Sequence, residues 1–360
     1  MLLLLSCAAS EPEDPTVDLT VQLDPPAQGA QIVTDPVVIE PYTEREICSV
    51  VRLEGDQKLL WTNRMESLVS EGSHHMNVFI GEFSFLDPFL GDGAAEQALG
   101  VPVGQYDCSE LPVMEWAFPV FPSQRENQEI TFPEGVAAPF LSPGLVIFSH
   151  HYVNPTDKPV RINAALNVQT LPTEEVDDVA SLVFDAIGGL EIAPGEAQIR
   201  HRTCVMEREV SVALVSTHTH EWGECASLSD YDGESVADEP FFVNKDWETP
   251  PILHFEPGSF ELEAGQGIHY ACHYENDTDR TLTDDGTAEG EMCVFAAVVY
   301  PATWSVEEVE EVVAGDDYAA LLSLMDAALG PCDASVEVSS PWDEGGSCED
   351  YAQTESNTLD

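Results

Sequence analysis

Val210-Ser-Val-Ala-Leu-Val-Ser-Thr-His-Thr-His220 is rich in β-branched residues and alternates as a strand does. Side chains on a strand point to opposite faces in turn, so Val210, Val212, Leu214, Ser216, His218 and His220 are expected on one face. The apolar members bury that face, and its far end presents two imidazoles side by side. Working outward, Val160, Ile162, Ala164, Leu166 and Val168 alternate with Arg161, Asn163 and Asn167. Short runs of the same kind occupy Asn77–Phe83, Gly144–Asn154, Gly267–Tyr274 and Met292–Tyr300, with Pro, Gly, Asn and Asp clusters between them. Many short strands so punctuated predict an all-β chain of antiparallel sandwiches or barrels.

Helix signals are confined to the C-terminal part. Ser305 with Glu308 has the spacing of a capping box, and Tyr318, Leu321, Leu322 and Met325 fall at i, i+3, i+4 and i+7 of a second helix. From Pro341 the chain is acidic and polar and reads as a frayed tail. No repeat of fixed period is present.

At 360 residues the chain suits two domains, each able to bury its own core. Lys and Arg number 12 against 67 Asp and Glu, a formal charge of -55 that would repel nucleic acid and anionic membrane surfaces. A hydrophobic fraction of 43% accompanies that acidity, so it marks a solvated surface on a folded protein rather than a disordered one. A salty habitat would account for it; calcium would be the other account, and no loop has EF-hand spacing.

Met1–Leu5 is an apolar stub followed by Ser6-Cys7, which resembles the lipobox of bacterial lipoproteins, with Cys7 as the lipidated residue. The stub is far shorter than the about 20 residues a membrane span needs, and no charged n-region precedes it, so the true start is expected upstream. Residues 8–35 read as an acidic, Pro-rich tether between membrane and globule. Eight further cysteines, an even number without a Cys-x-x-Cys pair, predict a disulfide framework in an oxidising compartment. The expected location is therefore the bacterial cell envelope, lipid-anchored, or the extracellular space.

The chemistry concentrates in soft-metal ligands: His74-His75-Met76, His151-Tyr152, His218-Thr219-His220 and Met292-Cys293. Imidazole combined with a thioether suits copper better than calcium or magnesium. Strand parity puts Met292 and Val294 on one face and Cys293 on the other, so Met292 can ligate while Cys293 forms a disulfide behind it. Adjacent His74 and His75 would diverge on a regular strand and can share one ion only at a bulge, twist or strand end. Of His150 and His151, at most one should face a site. The bland alternatives are surface or hydrogen-bonded histidines and a core-filling Met292; His201, His254, His269 and His273 are assigned to structure.

The order of these motifs resembles the copper type II, ascorbate-dependent monooxygenases, the family of dopamine beta-monooxygenase and peptidylglycine alpha-hydroxylating monooxygenase. The matching text is Ser73-His74-His75-Met76, His151-Tyr152-Val153-Asn154-Pro155, Thr217-His218-Thr219-His220-Glu221-Trp222-Gly223 and Glu291-Met292-Cys293, spread over Glu46 to Tyr300. The resemblance implies two jelly-roll β-sandwich domains, at 36–188 and 189–304, with a helical extension and acidic tail at 305–360. It implies two coppers. One would be held by His74, His75 and His151 as an electron store. The other would be held by His218, His220 and Met292, where dioxygen would bind and a substrate C–H bond be hydroxylated, with ascorbate or another one-electron donor as reductant. It also implies disulfides Cys48–Cys108 and Cys272–Cys293; for the remaining four, Cys204–Cys225 with Cys332–Cys348 stands ahead of pairings that tie Cys204 to the C-terminal segment.

Departures narrow the expectation. Where the peptide-amidating members hold a substrate carboxylate with Arg, Asn and Tyr, this chain has Ser216, Val294 and Ala296, and Ser149 replaces the Gln that precedes their His-Tyr motif. A peptide substrate is disfavoured, and a small uncharged or aromatic molecule is expected with dioxygen as the other partner. The alternatives are a non-catalytic copper-binding or copper-handling lipoprotein, and a single three-histidine iron or zinc site. Nothing in the sequence dictates an interface between copies.

Overall fold

A computed structural model gives the structure of the chain and describes residues 16–53, 58–81, 93–111, 118–141, 144–284, 290–315, 319–320, 323, 332–333, 338–345, 348 and 351–357. Cys7 and the four positions that define the second expected helix, Tyr318, Leu321, Leu322 and Met325, lie outside the described residues. In chain order the first strands are β1 (Val17–Asp18), β2 (Gly29–Val33), β3 (Val37–Ile39), β4 (Thr43–Leu53), β5 (Leu59–Val69), β6 (Ser73–Ile80), β7 (Gly104–Asp107), β8 (Phe118–Ser123), β9 (Asn127–Thr131), β10 (Val136–Leu141), β11 (Gly144–Asn154), β12 (Val160–Ile162), β13 (Ala164–Leu171) and β14 (Asp178–Val179). One sheet runs β14-β10-β5-β13-β2 with β9 beside β5, and it faces a second sheet, β7-β4-β11-β6-β8. Met76, Phe121, Phe148 and Leu166 are fully buried between them.

The later strands are β15 (Ser181–Ala186), β16 (Glu191–Ile192), β17 (Ala197–Met206), β18 (Val210–His218), β19 (Gly223–Tyr231), β20 (Phe242–Asn244), β21 (Leu253–His254), β22 (Glu261–Leu262), β23 (Gly267–Glu275), β24 (Leu282–Thr283), β25 (Val294–Tyr300) and β26 (Cys332–Asp333). They form a second sandwich, β15-β25-β18-β21 with β22 facing β20-β19-β23-β17-β26. Its core holds Phe242, Ile268 and the stacked rings of Tyr270 and Phe295, 5.5 Å apart. The all-β sandwich expectation therefore holds. Among the described residues β1 to β14 pair only with one another, as do β15 to β26, so the division falls at Ala180, not between residues 188 and 189. Residues 181–186 are an edge strand of the second sandwich, paired to β25.

Five further expectations need correction. The even-numbered face of Val210–His220 is interrupted, because the register of β18 on β25 slips between Val212 and Leu214. One extra residue reverses parity, so Val210, Val212 and Val215 enter the second core while Ala213 and Leu214, with Ile252, Val298 and Tyr300, join the core of the first sandwich. That bulge lets one strand serve its own core and fuse the two sandwiches. The run from Val160 to Val168 is two strands in different sheets, parted at Asn163, whose side chain bonds both backbone groups of Val21.

Residues 8–35 are not a tether from Val17 onward. β1 pairs in parallel with β12, β2 pairs with β13, and Asn167 donates to the Asp24 carbonyl between them. The tail from Pro341 is likewise held: Val243 N–H bonds Thr354 Oγ1, Ile252 N–H bonds Ser356 Oγ and His254 N–H bonds Asn357 Oδ1. Disulfides fasten that segment. Cys48–Cys108 and Cys272–Cys293 are present as expected, but the other two are Cys204–Cys332 and Cys225–Cys348. Cys204 on β17 and Cys225 on β19 flank β23, so about 10 Å of sheet separates them, beyond disulfide reach. Four disulfides place the chain in an oxidising, extracellular or exported environment.

Helix α1 (Ala94–Leu99) lies in the first sandwich, and α2 (Val306–Ala314) opens on the expected capping box between Ser305 and Glu308. α2 follows the second sandwich yet packs Val309 against Trp61, Ala137 and Val179 of the first, so it clamps the two together.

Candidate metal centres

The first group of histidines is set by strand register. His151 on β11 stands opposite His75 on β6, whereas Tyr152 stands opposite Ser73, so His74 is the extra residue of a bulge. The bulge turns two adjacent imidazoles to one side. Ring centroids of His74, His75 and His151 lie 5.0 to 5.2 Å apart, and one donor atom of each lies within 4.8 Å of the others. His74 Nδ1 and His75 Nδ1 are 3.1 Å apart, a separation suited to two donors on one ion at bonds of about 2 Å. His151 Nε2 meets the Glu44 carboxylate at 2.7 Å, which orients the ring and leaves Nδ1 for the cluster. Burial, then the charges of His151 and His74, hold His75 well below the usual imidazole range, and burial lowers His74 as well. His74 and His75 are therefore neutral at neutral pH, with lone pairs available. His150 turns away to bond Ser73 Oγ at 2.7 Å.

The second group sits where β18 ends and β25 begins. His218 closes β18 opposite Val294, and His220 follows in the turn, its ring 5.1 Å from that of His218. Gly223 permits this turn: a Cβ there would meet Thr219 Cβ and Oγ1 at 2.5 Å. Met292 precedes β25 and is fixed from several directions. Its N–H (3.2 Å) and that of His220 (3.0 Å) donate to the same Glu291 oxygen, and Trp222 N–H donates to the other at 2.9 Å. Tyr274 Oη donates to the Met292 carbonyl at 2.8 Å, and Cys293 is disulfide-bonded to Cys272. The fully buried Glu291 carboxyl thus staples the His-Thr-His turn to the methionine. Burial pushes its pKa up to about 7 despite the N–H groups that favour its charge.

Both second-group rings have their Nδ1 engaged. His220 Nδ1 meets the Gly290 carbonyl at 3.0 Å, so it carries the proton and Nε2 presents a lone pair. His218 Nδ1 meets Gln124 Oε1 of the first sandwich at 3.1 Å. Burial, then His220 and His74, bring His218 down to about 3. His218 feels His74, and His75 feels His218 and His220, so the two groups lie within electrostatic reach of each other.

At the positions that hold a peptide carboxylate in the resembling family, Ser216 Oγ donates to the Pro251 carbonyl at 2.8 Å and Val294 is buried. Cys225, His273 and Cys348 form another close trio, but its sulfurs are joined in the disulfide. Sequence reasoning missed Glu44 and Gln124, which carry no local signal, while Glu291 was visible only as the letter before Met292. No family model matches the sequence, and no curated protein does. Among solved structures, the crystal structure of PBSX exported protein XepA aligns at 8% identity and a TM-score of 0.19, over 77% of this chain and 89% of that one, a likeness that carries no argument.

Proposed function

We propose that the chain is an exported copper-dependent monooxygenase of the ascorbate-using type, an oxidoreductase that hydroxylates a C–H bond of a small organic molecule with dioxygen. The observation that carries this reading is the assembly of three imidazoles into one group and of His218 and His220, with the Met292 backbone stapled to their turn, into a second group. The donor sets fit copper: imidazoles serve both of its oxidation states, and a thioether favours the reduced one. His74, His75 and His151 would hold the first ion and His218, His220 and Met292 the second. Bound copper would supply one-electron storage at the first centre and dioxygen chemistry at the second, with ascorbate or another one-electron donor as reductant.

The chain's own residues prepare these sites. Glu44 orients His151, the Gly290 carbonyl fixes His220, and Glu291 keeps Met292 in register with the turn. With Ser216 bonded to Pro251 and Val294 buried, these two positions offer no cation to a substrate carboxylate, which favours an uncharged or aromatic substrate over a peptide C-terminus. Lipidation at Cys7 would place the enzyme on the bacterial cell envelope. The same closed substrate positions favour one other reading, a copper-handling lipoprotein that keeps the ligands without the chemistry.

Copper stoichiometry after reconstitution and desalting, with ascorbate-driven oxygen uptake on the same sample, separates them. Two coppers with turnover are expected, and Met292→Ala abolishes uptake while the fold survives. One copper without uptake would point to the handling protein, and zinc or iron would sink both.

A further inference from the structure

Gln124 lies in the turn after β8, in the first sandwich, and its amide reaches two places in the second. Nε2 donates to the Trp247 backbone carbonyl at 2.9 Å, and Oε1 faces His218 Nδ1 at 3.1 Å. A carbonyl can only accept, so the amide nitrogen must face Trp247 and the oxygen must face the ring. Oε1 in turn can only accept, so His218 carries its proton on Nδ1 and offers Nε2 as a lone pair. Trp247 belongs to the β20–β21 connection, and its indole lies against His74 of the first group, ring centroids 5.5 Å apart. The neighbouring Arg125 holds the same connection by donating to the Thr249 carbonyl at 3.3 Å.

We propose that Gln124 is the positioning residue that registers the two metal centres on each other, locking His218 as the Nδ1–H tautomer while seating the Trp247 indole against His74. Its consequence for copper rests on the monooxygenase reading; the tautomer assignment does not. One amide thereby does for the second centre, across the sandwich boundary, what Glu44 does for the first within a single sheet. No residue adjacent to the His-Thr-His motif offers His218 Nδ1 this acceptor among the described contacts.

The test begins without metal. Long-range proton–nitrogen correlation on the apo full-length chain, with His218 assigned through His218→Gln, is expected to show the Nδ1–H tautomer. Gln124→Leu should shift His218 toward the Nε2–H form common in water, whereas Gln124→Glu, which keeps an acceptor, should preserve Nδ1–H. An Nε2–H ring in the unaltered protein, or an unchanged ring in Gln124→Leu, would overturn the proposal whatever the protein does with copper. Copper(I) titration then reads the consequence: Gln124→Leu should weaken one of two sites by about ten- to hundredfold and spare the other, with Gln124→Glu between. Equal weakening of both sites, or of neither, would refute the positioning role. If the unaltered chain binds no copper, the monooxygenase reading fails while the tautomer result still stands on its own.

Discussion

The two candidate centres are built by different means. His74, His75 and His151 come from neighbouring strands of one sheet, and a single bulge in the β6–β11 register brings them together. His218, His220 and Met292 come from a strand end, a turn and the segment before β25, and they are held by polar contacts to Gln124, Gly290 and Glu291. A site carried by a sheet ladder persists as long as the sheet does. One assembled from loops depends on a few hydrogen bonds and can be dismantled while the sandwiches remain folded.

The largest expected separation comes from the disulfide behind Met292. Replacing Cys272 and Cys293 together by Ser removes a buried cross-link that is expected to contribute about 2–5 kcal/mol. Thermal unfolding should fall by roughly 5–15 °C. Copper stoichiometry should drop from two to one, because the first centre shares no element with this bond. Loss of both ions at once would erase the contrast. Glu291→Gln follows: an amide supplies one acceptor oxygen where the carboxylate serves the N–H groups of His220, Trp222 and Met292, and its NH2 opposes a donor. About 1–3 kcal/mol of stability should go, together with second-centre copper alone. Retention of both coppers in this variant would mean that the staple does not position the methionine.

Within the first centre the analogous change should be milder. Glu44 touches His151 at 2.7 Å but is 56% exposed, and it is the sheet register that places His151 beside His75. Glu44→Gln should weaken first-centre copper by about tenfold without moving the unfolding temperature. A collapse of that centre would show that register alone does not hold it.

This division also explains what could be read in advance. β11 spans Gly144–Asn154 as its run of strand-forming residues predicts, and the need for an irregularity at His74-His75 follows from strand parity; both are local properties. The other determinants are distant in sequence. Gln124 is 94 residues from His218, and Glu44 is 107 from His151. The slip at Ala213 leaves no trace because a small apolar residue suits either face. β1 and β2 were hidden by their polarity: short edge strands expose one face and bond through the backbone, so their composition is that of a linker. The tail was misread for the same reason, and with it the partners of Cys204 and Cys225.

The smallest expected effect supplies the background against which both centres can be compared. His273 belongs to neither; it is buried, its ring lies edge-on 4.6 Å from Trp342, and burial, then His201, lower it from 6.5 to about 4. Below pH 6.5 the unfolded chain takes a proton that the folded one refuses, so the stability this residue contributes is present above 6.5 and falls as pH drops toward 4. Glu291 acts in the opposite sense: with its pKa raised from 4.5 to about 7, it favours the fold at low pH and loses that contribution as pH rises between those values. His150, lowered to about 4, and His218, lowered to about 3, outweigh it, so the apo chain should lose stability from pH 6.5 to 5.5. His273→Phe keeps a ring against Trp342 and should remove about 1 kcal/mol of that loss, measured by urea unfolding at the two pH values. The slope that remains belongs mainly to His150 and His218, and saturating copper should raise stability at both pH values without flattening it, because the folded rings are already unprotonated and the unfolded chain takes the protons. An unchanged slope in His273→Phe would mean that this histidine is protonated in the fold, which would undercut the use of burial to assign neutral rings at both centres.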